Sequence, residues 1–124
     1  MIYILLLVHW FADAVMQSEQ TAINKWSNNR ILFDHVFTYS AWMAGVFSFM
    51  IGDGIWKEPL LFFLITFVCH FITDYFTSKI SHYLFTNKKY YTEPFNVGGF
   101  SIICLDQILH VIQLLGTFNW LYLH

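Results

Sequence analysis

Residues 59–77 read PLLFFLITFVCHFITDYFT, a run in which Asp74 is the single formally charged residue. At about 1.5 Å of rise per residue such a helix crosses most of a hydrocarbon core roughly 30 Å thick. The apolar character is continuous and shows none of the alternation expected of a barrel strand. In lipid the backbone must satisfy its own hydrogen bonds, so only helices and closed barrels span. The run therefore predicts a membrane helix, and one that carries His70 and Asp74 inside it.

Three further apolar stretches lie around it. The first starts at Ile2, runs to about Gln17, and continues as an amphipathic tail to Trp26, after which Ser27-Asn28-Asn29-Arg30 reads as a turn. A second covers 35–51 and is closed by Gly52-Asp53-Gly54. The central run itself follows Pro59, a good first-turn residue, and extends to Phe85. A polar connector over 86–99, with Pro94 and Gly98-Gly99, leads to the last stretch. With spans taken as 2–20, 35–51, 59–85 and 99–122, the expected fold is all-α: one integral membrane domain built as a four-helix transmembrane bundle.

Composition agrees. Of 124 residues 57% are hydrophobic and only 11% charged, against about 25% charged in soluble domains, and mean hydropathy is +0.53. Net charge is −2 with no basic tract, which argues against nucleic acid as a partner. The segment 2–8 lacks a positive n-region and is followed by His9 and Asp13, so it reads as a retained first helix and not a cleaved signal. Cys69 and Cys104 lie in apolar runs and read as small buried apolar residues. Lys25 and Arg30 in the first loop, and Lys88 and Lys89 in the third, outnumber Lys57 in the second. The positive-inside rule then puts both termini outside the cytoplasm.

Three of the four helices repeat one motif. His9 and Asp13, His70 and Asp74, and Asp106 and His110 are each spaced i, i+4, on one helix face about a turn apart. The first and third helices run inward and read His then Asp. The fourth runs outward and reads Asp then His, so the imidazoles fall in one layer near mid-membrane and the carboxylates in a second layer on the cytoplasmic side. One such pair serves equally well as an interhelical hydrogen bond. Three at matching depth point to a shared site.

Imidazole and carboxylate are good ligands for first-row divalent ions, and burying three carboxylates without compensation costs several kcal/mol each. The expected cofactor is a divalent metal, zinc, as one or two ions held by His9, Asp13, His70, Asp74, Asp106 and His110. Asp13, Asp74 and Asp106 double as candidate general bases towards a metal-activated water. His35, opening the second helix, is a candidate fourth imidazole at the mouth of the site. Gln17 and Gln113 extend the polar faces, with interhelical hydrogen bonding as the default role. His82 and His124 read as interfacial, and Lys79 as snorkelling to headgroups.

The set His9-x3-Asp13-x3-Gln17, His35, His70-x3-Asp74 and Asp106-Gln107-x2-His110 resembles a family of small bacterial and phage membrane proteins of unknown function. It is loosely similar to membrane-bound metal-dependent hydrolases as well. The resemblance implies a bacterial inner-membrane location and adds Gln107, with His35 and Gln17, as supports around the ligands. The function expected is a metal-dependent hydrolase working within the membrane on a lipid or lipid-linked substrate. The alternatives are a carrier or channel for protons or divalent ions using the same cluster, and a phage-type membrane interaction protein. Membrane lipids are the expected partners, and a homo-oligomer is allowed, since a second copy would complete a site or bury an unmet face.

Overall fold

Helix boundaries follow local capping chemistry. The computed structural model describes residues 2–15, 17–52, 56–90 and 98–122. Helix α1 (Ile2–Trp10) passes into a single wide π turn (Phe11–Val15), and Ser18 then caps a short helix α2 (Glu19–Asn24) by accepting the Thr21 N–H. Asn28 caps α3 (Asn29–Ile51), its Oδ1 accepting from the N–H groups of Arg30 and Ile31. Gly52 ends α3 at φ 69°, a left-handed conformation that glycine adopts without a Cβ clash. Helices α4 (Lys57–Thr86) and α5 (Gly99–Tyr122) complete the fold, and no strand occurs among the described residues.

Two expected boundaries shift. The predicted turn at Ser27-Asn28-Asn29-Arg30 is only half a turn: Asn28 is an N-cap, so Asn29 and Arg30 are already helical and α3 begins six residues before the expected 35. The predicted span 2–20 breaks before Ser18, whose hydroxyl starts a new helix. The last two spans differ from α4 and α5 by two residues at most. Asp53, Gly54, Pro94 and His124, read above as turn, connector and terminal residues, lie outside the described residues.

Helix α1 packs on α3, α3 on α4, and α4 on α5. The buried positions of α4 recur every three or four residues: Pro59, Phe62, Thr66, His70, Asp74. Those of α5, after Gly99 at its start, are Asp106, His110, Leu114, Thr117 and Phe118, the same sequence of layers reversed. The bundle interior is therefore graded along its axis. At one end Leu5, Met43, Phe47, Phe62, Leu114 and Phe118 form an apolar core. Phe47 stacks on Phe62 at 4.5 Å and meets Phe118 edge-on at 6.0 Å. At the other end the interior is polar. Phe47→Ala is expected to cost about 3 kcal/mol, because the cavity it leaves cannot be refilled. A thermal melt in detergent reads this, with Phe49→Ala as the neutral control since Phe49 is 89% exposed.

Outward faces are apolar. On α4 the column Leu60, Leu64, Val68, Ile72, Phe76, mostly two residues from the buried column and so on the opposite helix face, is about half exposed. Helices α4 and α5 are each long and apolar enough to cross a membrane, and Ile2–Val15 forms a shorter apolar helix. Cys69 and Cys104 differ from expectation: Cys69 is half-buried and Cys104 exposed, both as free thiols, because neither falls on the inward face of its helix.

Candidate metal centre

Four helices converge on the polar end of the interior. Asp13 comes from the π turn, His35 from α3, His70 and Asp74 from α4, and Asp106 and His110 from α5. All are buried or nearly so, with side-chain exposures of 5% for Asp13, 0% for Asp74 and 12% for Asp106. The three rings expected in one layer lie against one another: His70 stacks on His110 at 3.9 Å between centroids, and His9 is 5.9 Å from His110.

Donor atoms fall into two groups. Asp13, His35, His70 and Asp74 each present one ligand atom within 4.8 Å of the others, and Asp13, Asp106 and His110 do the same. Asp13 belongs to both. In the first group His35 Nε2 lies 3.2 Å from Asp13 Oδ1 and 3.6 Å from Asp74 Oδ2. His70 Nε2 lies 3.5 Å from Asp13 Oδ1 and 3.5 Å from Asp74 Oδ1. A tetrahedral ion with bonds of about 2.0–2.1 Å separates its ligand atoms by about 3.3–3.4 Å, so these separations suit a zinc-sized ion. His70 is fully buried, and neither of its ring nitrogens has a hydrogen-bond partner. A buried, unpartnered imidazole nitrogen facing two carboxylate oxygens is a costly arrangement without a cation.

Supporting contacts orient the carboxylates. Gln107 Nε2 donates to Asp13 Oδ2 at 2.6 Å and to Asp106 Oδ2 at 3.3 Å, while the Thr77 hydroxyl donates to Asp106 Oδ1. His110 Nε2 donates to Asp74 Oδ1 at 3.0 Å and stands 3.5 Å from Asp106 Oδ2. Gln17 sits differently: its amide bridges the Asp13 carbonyl and the Ala22 N–H, tying the π turn to α2. Gln113 donates to Thr66 of α4 at 3.2 Å, an interhelical hydrogen bond, and to Thr117 of its own helix at 3.0 Å.

His9 stands outside both ligand groups. Its Nδ1 shares a 2.7 Å hydrogen bond with the buried Tyr39 hydroxyl, and its Nε2 has no partner. The cause is the π turn. In the regular helices α4 and α5 the i, i+4 pairs stay together, with His70–Asp74 and His110–Asp106 both at 3.5 Å. The extra residue per turn between His9 and Asp13 rotates the carboxylate away from its own histidine. Asp13 then faces His35 and His70.

Lys25 is the residue that periodicity does not reveal. From the end of α2 its Nζ donates to Asp74 Oδ2 at 2.9 Å, 49 positions along the chain. Burial works against the ammonium, but the Asp74 carboxylate more than offsets it and holds the Lys25 pKa above its ordinary value. Tyr39 did have a signal, since His35-x3-Tyr39 repeats the i, i+4 spacing on α3. Of the residues read as interfacial, His82 stacks on Trp26 at 3.6 Å, and Lys79 lies 3.0 Å over the Tyr75 ring.

A cavity of about 680 Å³ opens beside the centre, between the π turn, α2, the second half of α4 and the first half of α5. Asp13, Asp106, Gln107 and Lys25 are in its lining, so the carboxylates are reachable from one side.

A family model described as a protein of unknown function, DUF3307, matches residues 1–122. No curated protein and no solved structure matches the chain.

Proposed function

Because the chain belongs to the DUF3307 family, whose function is unknown, we propose an activity from the site itself: a metal-dependent hydrolase acting within the membrane on a lipid or lipid-linked substrate. The observation that carries this reading is Asp13, a buried carboxylate common to two ligand groups. A shared carboxylate beside a second ligand set is the arrangement by which paired divalent ions are held close together. Zinc suits the nitrogen and oxygen donors. When bound, such ions polarise a substrate oxygen and acidify water, and the chain's own part is to fix the ligands and exclude bulk solvent. His35, His70 and Asp74 join Asp13 in one ligand set, and Asp106 and His110 join it in the other.

The membrane setting is part of the proposal. Four spans, formed by α1 with its π turn, α3, α4 and α5, would turn the apolar outward columns to lipid, where a soluble surface would be an aggregation hazard. By the loop charges both termini lie outside the cytoplasm, so the cavity opens towards the inner leaflet of a bacterial inner membrane. The carrier alternative needs a polar path onward from the histidines. Gln113 bonds to Thr66 and Thr117 there, and the other inward residues at that end, Phe47, Phe62, Leu114 and Phe118, are apolar, which favours a one-sided site.

Elemental analysis of the chain purified in detergent without added metal tests the proposal. We expect stoichiometric zinc, of which His70→Ala loses the share held by the first ligand set. A wild-type protein that holds no divalent metal after incubation with zinc would sink the hydrolase reading.

A further inference from the structure

The cavity beside the centre is built for more than access. Its lining joins polar groups, Asp13, Asp106 and Gln107 from the site with Thr77, Ser81 and His82 of α4, to the apolar Trp10, Ile23, Phe85, Ile102 and Ile103. Its volume of about 680 Å³ falls in the range of roughly 300–1,000 Å³ typical of small-molecule sites. Ser78 lines the same space, and its buried hydroxyl has no hydrogen-bond partner. A lining that carries both polar and apolar groups suits an amphiphile.

Charge decides which amphiphile. Lys25 is the one lysine or arginine among the described residues lining the cavity, and its side chain is 18% exposed. Its partner, Asp74, also belongs to the first ligand group. A divalent ion and the ammonium would therefore compete for the same carboxylate, and the two cations repel. A displaced lysine remains on a flexible four-carbon stem at the cavity edge, free to meet an anion there.

We propose that this cavity binds a lipid with a net-anionic phosphate headgroup, taken by the Lys25 ammonium that a divalent ion displaces from Asp74. The acyl chain lies along Phe85, Ile102 and Ile103. This names the substrate class of the centre proposed above and rests on that centre. Inorganic phosphate shares the headgroup chemistry but gains nothing from the apolar part of the lining.

The test uses the full chain in a neutral detergent, zinc-loaded or stripped with chelator. It is titrated with short-chain phosphatidic acid, with phosphatidylcholine of the same chain length, and with inorganic phosphate. Tryptophan fluorescence reports binding, since Trp10 and Trp26 line the cavity. With zinc, phosphatidic acid is expected to bind about tenfold or more tighter than phosphatidylcholine; without zinc the difference disappears. Lys25→Gln removes the preference and Lys25→Arg keeps it. Ile103→Trp weakens both lipids and leaves the zinc content unchanged. Equal binding of the two lipids by zinc-loaded protein overturns the inference while the metal centre stands. Inorganic phosphate binding as tightly as phosphatidic acid also overturns it. Failure to take up zinc at all overturns both this inference and the hydrolase reading.

Discussion

Asp13→Asn is expected to empty the proposed centre of both proposed ions, the largest single effect on metal content expected for any one substitution. The substitution preserves shape and leaves an oxygen for Gln107 to donate to, so the fold has little reason to change. It removes the one charge common to the two ligand groups. Loss of a mere supporting contact around a metal costs roughly 10–100-fold in affinity, and loss of a shared ligand should exceed that for each ion. His35→Ala should behave differently, because His35 belongs to the first group alone. Metal-to-protein ratios after dialysis separate the two variants: little or no zinc in Asp13→Asn, and partial retention in His35→Ala. Equal retention in the two would show that Asp13 is not shared.

Lys25→Met should give opposite changes in two measurements on one protein. In the metal-free chain it takes the ammonium from the fully buried Asp74 carboxylate and leaves it the hydrogen bond from His110. Breaking a buried pair costs roughly 3–5 kcal/mol, and the partial exposure of Lys25 together with the remaining His110 contact puts the expectation at the low end, about 3 kcal/mol. In the metal-loaded chain the same change removes a competitor, so zinc should bind more tightly than in the wild type. Thermal melts with and without zinc read both effects. The variant should melt well below wild type when stripped, and zinc should raise its melting point by more than it raises that of wild type. A variant as stable as wild type when stripped would mean that Lys25 does not neutralise Asp74.

Much of this protein was legible along the chain because helical periodicity is local. The run 59–77 specifies a helix, and its interior column of Phe62, Thr66, His70 and Asp74 follows from a spacing of three to four residues. The same rule put Asp106 and His110 on one face of α5, and the reversed order of that pair anticipated the stacking of His110 on His70. Boundaries were less legible. Asn28 and Ser18 are good caps by residue type, yet which of several polar residues in a linker takes that role depends on where the next helix has to point.

The sequence by itself pointed to His and Asp side chains buried together in an all-helical interior, since i, i+4 spacing in a regular helix puts each pair on one face and three such pairs recur among otherwise apolar runs. Only the tertiary structure decided which of them share donor space. A π turn cannot be seen in residue types, and it turned Asp13 towards His35 and His70 and left His9 to Tyr39. Lys25 was equally invisible as a site residue, because its partner is fixed by the packing of α2 against the bundle and not by any repeat along the chain. Periodicity is a property of one helix; the centre is a property of how four of them meet.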